Sequence, residues 1–253
     1  MKQDQRAPFV EALERARLSA YAPGEFVGQE SFMRSAEILD LGRRAGVGPG
    51  VSVLDLCCGV AGPGRYLTAQ LGCRYLGVDY SDSAVEIARG LARGLPCEFR
   101  VAHIPPIPPG PFEVILLLET ILAFPDKPGL LKEIAQALPS GGRFACTLEE
   151  GQPLSPAERE RMPDADTVWL TPLSEMREML AQVGLRLTWE EECSRSHLQM
   201  VDSLLAAFQA DGPRIGEQIG VKALQELLAA HQLWKDWLSS GRVRKFTLVA
   251  EKS

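Results

Sequence analysis

The chain has no dense block of lysine and arginine, no apolar run of membrane-spanning length and no disulfide-module rhythm among its cysteines. Each absence excludes something. With a net charge of -6 and no basic block, a nucleic-acid polyanion is a poor partner. Without about twenty consecutive apolar residues, no helix is expected to span a bilayer. The opening Met1-Lys2-Gln3-Asp4-Gln5-Arg6 has no apolar signal core, so a reducing cytoplasm is the expectation. The six cysteines (Cys57, Cys58, Cys73, Cys97, Cys146 and Cys193) fall mostly in apolar, strand-like runs, where a free thiol acts as a small hydrophobe. Cys57-Cys58 lacks zinc-ligand spacing and nearby histidines, so no metal site is expected. What remains is a chain of 253 residues with 45% hydrophobic content, enough for one large domain or one domain with an inserted lid. A monomer or homodimer acting on a small molecule, with neither nucleic acid nor membrane as partner, is the expectation.

The most informative stretch is Val51 to Asp79. An apolar strand, Val51 to Leu56, runs into a tight turn rich in small residues, then a helix from Arg65 to Leu71, then a second strand ending on Asp79. That is one βαβ unit with a carboxylate about twenty positions beyond the glycine turn, a geometry that grips a nucleoside-bearing cofactor. Small residues let backbone N–H groups approach the ligand, and the helix N-terminus favours its negative end. Asp79 at its strand tip can accept hydrogen bonds from two adjacent ribose hydroxyls.

Spacing bears on which cofactor. Dinucleotide binders favour G-x-G-x-x-G, which makes room for a pyrophosphate. Here the turn reads Gly59-Val60-Ala61-Gly62-Pro63-Gly64, with Asp55 four residues before Gly59. A carboxylate there repels pyrophosphate but receives an ammonium. S-adenosylmethionine carries an ammonium, a carboxylate and a ribose, and suits this arrangement. A nicotinamide oxidoreductase of the commonest kind would also need a Tyr-x-x-x-Lys pair, which the sequence lacks.

Along the chain, helices are expected over Pro8–Ala20, Gln29–Ala45, Asp82–Arg93 (with Ser81 as N-cap), Asp126–Leu138 and Leu173–Gln182. Strands are expected over Cys97–Val101, Phe112–Leu118, Arg143–Glu149, Leu185–Glu191 and Val243–Ala250. Ile104 to Pro111 is a loop with five prolines, and a charged, proline-bearing loop precedes Leu173. The order predicts an α/β, doubly wound, Rossmann-like sheet of seven strands, the last antiparallel. Residues 1–50 are expected to form an N-terminal helical cap, 51–193 the cofactor-binding core, 194–241 a helical lid insert and 242–253 the final strand. A crossover as long as that insert is more often a cap than a bare connection.

At the glycine turn the sequence resembles the class I S-adenosylmethionine-dependent methyltransferases of small molecules. Asp55-Leu56-Cys57-Cys58-Gly59 is similar to the turn of the quinone C-methyltransferases. Gly59 to Leu67 is similar to that of the sarcosine and dimethylglycine N-methyltransferases. The resemblance implies methyl transfer from S-adenosylmethionine, leaving S-adenosylhomocysteine, to an amine nitrogen. A C- or O-methyltransferase of a quinone, phenol or polyketide is the alternative, and a non-catalytic binder of the same cofactor a further one. It also implies that Cys57, Gly59, Ala61 and Gly62 frame the methionine end, with Asp55 steering the ammonium. Asp79 would take the ribose, Tyr80 would lie along the adenine, and His103 or the Ile104 N–H would meet the ring. The chain departs from the pattern in three places. Cys57 and Ala61 stand where glycines are common, His103 where an aspartate is, and Ala123 where a histidine is. Glu119, ending the central strand at its carboxyl edge, is expected to touch ligand, and His197, opening the insert, is the candidate base. Tyr21, Gln29, Met33, Trp169 and His197 are expected to form the substrate pocket.

Overall fold

A computed structural model describes residues 10–163 and 165–253. The start expected for the first helix, at Pro8, lies outside the described residues. In chain order the elements are α1 (Glu11–Ala20), α2 (Ser35–Arg44), β1 (Ser52–Leu56), α3 (Gly62–Leu71), β2 (Arg74–Asp79), α4 (Asp82–Leu91) and β3 (Cys97–Val101). There follow β4 (Val114–Leu117), α5 (Lys127–Ala137), β5 (Arg143–Glu150), α6 (Pro156–Arg161), α7 (Leu173–Gln182) and β6 (Leu185–Glu192). Helices α8 (Ser194–Ala210), α9 (Gly212–Ile219) and α10 (Val221–Ser240) precede β7 (Arg244–Lys252).

The sheet has seven strands in the order β3-β2-β1-β4-β5-β7-β6, and β7 runs antiparallel to both its neighbours. The expected architecture is therefore the observed one. Connections run one way from β1 to β2 and β3, and the other way from β1 to β4 and β5. Between β1 and β4 lies the switch point, outside whose carboxyl edge open α/β sheets place their ligands. Strand periodicity divides the core. Leu54, Leu56, Ile115, Leu117, Phe144 and Cys146 face α5 and α7, while Val53, Tyr75, Val114, Leu116 and Ala145 face α2, α3 and α4. A third cluster joins α1 to α8 through Ala12, Ala16, Met200, Leu204 and Phe208. No helix of the described residues is long and apolar enough to cross a membrane.

Three expectations change. Helix α3 starts at Gly62 rather than Arg65, with Pro63 in its first turn. The helix expected from Gln29 starts at Ser35, because Gln29 serves the loop before it. Its Oε1 accepts the Val27 N–H (2.6 Å) and its Nε2 donates to the carbonyls of Glu25 and Met33. Glu37 then accepts the Arg34 N–H (2.8 Å) at the helix start. The loop expected before Leu173 contains α6, whose N-cap Ser155 and third helical residue Glu158 satisfy each other's backbone N–H groups.

Candidate active site

A cavity of ≈ 740 Å³ opens at the carboxyl ends of β1, β2, β3 and β4, a volume within the range of small-molecule sites. It is walled on one side by the glycine turn and on the other by α1 and the segment from Gly28 to Ser31. Of the residues expected to hold a cofactor, Asp55, Cys57, Gly59, Gly62, Asp79, Tyr80, His103, Ile104 and Glu119 line it. Ala61 is fully buried behind the turn.

The turn is built from left-handed backbone. Cys57 (φ 59), Gly59 (φ 54) and Ala61 (φ 57) all adopt it, and Glu119 (φ 56) at the end of β4 does so as well. Cys57, Ala61 and Glu119 are the non-glycine residues with positive φ among the described residues. Such conformations cost roughly 1–3 kcal/mol each and cluster at functional sites. Two glycines permit close approaches. A Cβ on Gly62 would stand 2.4 Å from the Gly28 carbonyl, so the N-terminal segment packs directly on the turn. A Cβ on Gly64 would stand 2.1 Å from the Tyr75 ring.

Tyr75 needs that space because its hydroxyl donates to Asp55 Oδ2 (2.6 Å). Asp55 is 3% exposed, and its pKa is pushed up to about 7. Burial is the main cause, opposed by the Tyr75 hydrogen bond and aided by the nearby charge of Asp79. Asp79 ties β2 to the turn: Oδ2 accepts the Gly59 N–H and Oδ1 the Ser81 N–H, each at 2.9 Å. Each carboxylate oxygen can accept a second hydrogen bond, which leaves capacity for a ligand. The rings of Tyr80 and His103 stack with centroids 5.8 Å apart at the cavity wall. Burial pushes the Cys57 thiol up to about 12, so it is not a nucleophile.

Glu119 is held from behind. Its N–H donates to Thr147 Oγ1 (2.5 Å), and its Oε2 pairs with Lys245 Nζ (2.8 Å). Lys245 sits opposite Glu149 in the β5–β7 ladder and also pairs with it. Composition and motif gave no signal for Lys245 or Glu149, since both lie in strands whose register only the folded sheet reveals. Arg17 and Glu14 of α1 also line the cavity, and Trp234 of α10 reaches it.

The expected substrate pocket is corrected in part. Gln29 lines the cavity, but Tyr21, Met33, Trp169 and His197 do not. Tyr21 is buried with its hydroxyl donating to the Ser31 carbonyl (2.5 Å), and Met33 belongs to the core beneath α2. Trp169 turns outward, donating Nε1–H to the Asp166 carbonyl, with Arg159 over its ring (4.5 Å). His197 is fully buried, edge-on to Phe32, with Nε2 3.9 Å from Glu37. Burial, then the Lys245 charge, drive its pKa down to about 3. It is neither placed nor tuned as a base; it is the polar serines beside it that meet neighbours, Ser196 donating to Glu37 (2.6 Å).

Residues 53–142 match a family described as "Methyltransferase domain". The matched residues carry the glycine turn and run from β1 to α5 of the seven-stranded sheet. The chain is 26% identical over 225 residues to ajmaline N-methyltransferase of Rauvolfia serpentina, covering 80% of this chain and 76% of that protein. It is 33% identical over 124 residues to phosphoethanolamine N-methyltransferase 3 of Arabidopsis thaliana, covering 47% of this chain. That match spans only 24% of the plant protein's length. Phosphoethanolamine N-methyltransferase 2 of Haemonchus contortus, solved with phosphomonomethylethanolamine and S-adenosylhomocysteine, superposes with a TM-score of 0.76 at 18% identity. It covers 86% of this chain and 52% of its own.

Proposed function

We propose that the chain binds S-adenosylmethionine and transfers its methyl group to a small-molecule amine nitrogen. The observation that carries this is the pair of carboxylates at the tips of adjacent strands, Asp55 on β1 and Asp79 on β2, on either side of an open left-handed turn. Asp55 suits the cofactor's ammonium and would repel a pyrophosphate. Asp79, already oriented by two backbone amides, suits the paired ribose hydroxyls. Tyr80, His103 and the Ile104 backbone suit the adenine, and Cys57, Gly59 and Gly62 the methionine end, with Ala61 setting the turn's curvature. A Cβ built on Gly59 would meet nothing within 4 Å, so the turn is open on the side where this group would lie.

The cofactor supplies an electrophilic methyl when bound, so the protein's task is alignment in a water-poor site. Gly28, Gln29 and α1 would close over the ligands, with the insert α8 to α10 as the lid. A neutral amine needs no base, whereas a phenol or a carbon acid does. His103 is the one imidazole at the cavity wall among the described residues, and His197 stands outside it. The two N-methyltransferase relatives favour an amine over the C- or O-acceptor alternative. Six free thiols suit a cytoplasmic protein, acting as monomer or homodimer.

Calorimetric titration with S-adenosylmethionine and S-adenosylhomocysteine, with NADH as control, tests the cofactor. Micromolar binding of the first two and none of NADH is expected. In Asp79→Ala that binding should weaken by more than about tenfold with the fold retained, as for loss of charge-assisted hydrogen bonds. Binding of NADH instead would overturn the assignment.

A further inference from the structure

The cavity wall carries more negative charge than it balances. Its charged lining residues are Glu14, Arg17, Glu30, Asp55, Asp79 and Glu119, five acids and one base. Arg17 is already engaged by Glu14 (3.2 Å) and Glu30 (3.0 Å). The arginines available for a substrate carboxylate are not at the wall: Arg177 pairs with Glu190 (2.6 Å), and neither Arg65 nor Arg195 lines the cavity.

Behind Glu119 the imbalance repeats. One ammonium, Lys245, faces two carboxylates, Glu119 and Glu149, with its Nζ 5.7 Å from the Phe32 ring centroid. Burial opposes the charge of Lys245, but the two glutamates outweigh it and raise its pKa. Glu119 Oε1 and Glu149 Oε2 are left buried with no partner. His197 cannot supply a second cation, since burial and Lys245 keep it neutral. A buried, uncompensated charge is costly. Of the two glutamates, Glu119 belongs to the cavity wall, its side chain 11% exposed, and positive charge developing on a ligand beside it would offset that cost.

We propose that Lys245 is a positioning residue that aims Glu119 at the acceptor nitrogen, so that the site selects an amine bearing neither carboxylate nor phosphate. This rests on the amine methyltransferase reading above. In the transfer, the nitrogen lone pair forms the new N–C bond while the methyl C–S bond breaks and its electron pair passes to sulfur. The nitrogen becomes positive beside Glu119, where a fixed carboxylate stabilises the charge as it develops. An anionic acceptor would instead meet five acids and one arginine that is already paired.

The test is a set of initial rates with matched acceptors at saturating S-adenosylmethionine. One pair is N-methylbenzylamine and its para-carboxylate; the other is ethanolamine and phosphoethanolamine. The uncharged-group member of each pair should have a kcat/KM at least about tenfold higher, the effect of ~1.4 kcal/mol. Glu119→Gln should lower kcat by about tenfold and move the discrimination ratio towards one. Lys245→Met should do the same, and Lys245→Arg should restore most of the activity and the ratio. A residue that was merely structural would lower the melting temperature without moving the ratio. Preference for the carboxylated or phosphorylated member, or an unchanged ratio in folded Glu119→Gln, overturns the proposal while leaving the methyltransferase reading intact. Cofactor binding with no transfer to any amine overturns both.

Discussion

With Asp55 in its proposed role as the partner of the cofactor's ammonium, cofactor recognition and stability should respond to pH in opposite directions. Burial lifts its pKa from 3.8 to about 7, which at ~1.36 kcal/mol per unit is a penalty of ~4 kcal/mol on the ionised folded state. The folded pKa lies above the unfolded one, so the native protein holds the proton longer. Stability is therefore lost as pH rises from about 4 to about 7 and is level above that. Asp55→Asn removes the penalty and weakens the Tyr75 hydrogen bond by about 1 kcal/mol. Thermal unfolding of the ligand-free protein from about pH 5 to about pH 8 should show the variant gaining on the parent by up to ~1.4 kcal/mol per unit below about pH 7. Binding of S-adenosylmethionine runs the other way, because an ammonium favours ionised Asp55. In the parent, Kd should tighten with pH by up to about tenfold per unit and then level near pH 7, with a proton released. The variant should bind weakly at every pH and show neither effect. Stability curves that run parallel for parent and variant, with the same pH dependence of binding, would refute the placement of this carboxylate.

Gly64→Ala lies in the first turn of α3, where alanine normally stabilises a helix by about 1 kcal/mol. The clash with the Tyr75 ring should reverse that sign to a loss of about 1–3 kcal/mol and weaken cofactor binding as Asp55 loses its partner. A stabilised variant in urea melts would show that Tyr75 is free to move. Ala61→Gly relieves about 1–2 kcal/mol of left-handed strain but loses a buried methyl (~0.8 kcal/mol) and adds chain entropy (~0.4–1 kcal/mol). The sum is close to zero, so chemical denaturation should give a change within about 1 kcal/mol; a loss above about 2 kcal/mol would mean the strain is not present.

The sheet was legible in the sequence because its signals are local. The β1–turn–β2 unit needs small residues, a helix start and a terminal acid within a short span, and Asp55, Gly59, Gly62 and Asp79 lie together as that pattern implies. The apolar runs of β4 and β5 likewise declare their burial. The substrate side was far less legible. Aromatic residues such as Tyr21 and Trp169 suit a pocket and a packing site equally well, and only tertiary context separates the two. His197 has polar sequence neighbours, yet it falls on the inner face of α8 because helical periodicity turns it towards Phe32 and Glu37. Lys245 is one basic residue in a strand near others, and its significance comes from the antiparallel register that sets it opposite Glu149. The wall built by Glu14 and Arg17 depends on how α1 docks, which no spacing rule encodes.

The position of β7 in the sheet constrains the order in which the protein can fold. Among the described strands β6 pairs with β7 alone, and β7 is later in the chain than every other strand. The parallel strands β1 to β5 can assemble first, but β6 has no ladder to join until α8, α9 and α10 have formed and β7 has inserted between β5 and β6. Long-range pairing of this kind is slow to nucleate. In pulsed hydrogen exchange during refolding, the amides of β6 should acquire protection together with those of β7 and after those of β1 and β4. The ion pair behind Glu119 arrives in that same final step, so an intermediate lacking it would hold the cofactor turn but not the completed acceptor site.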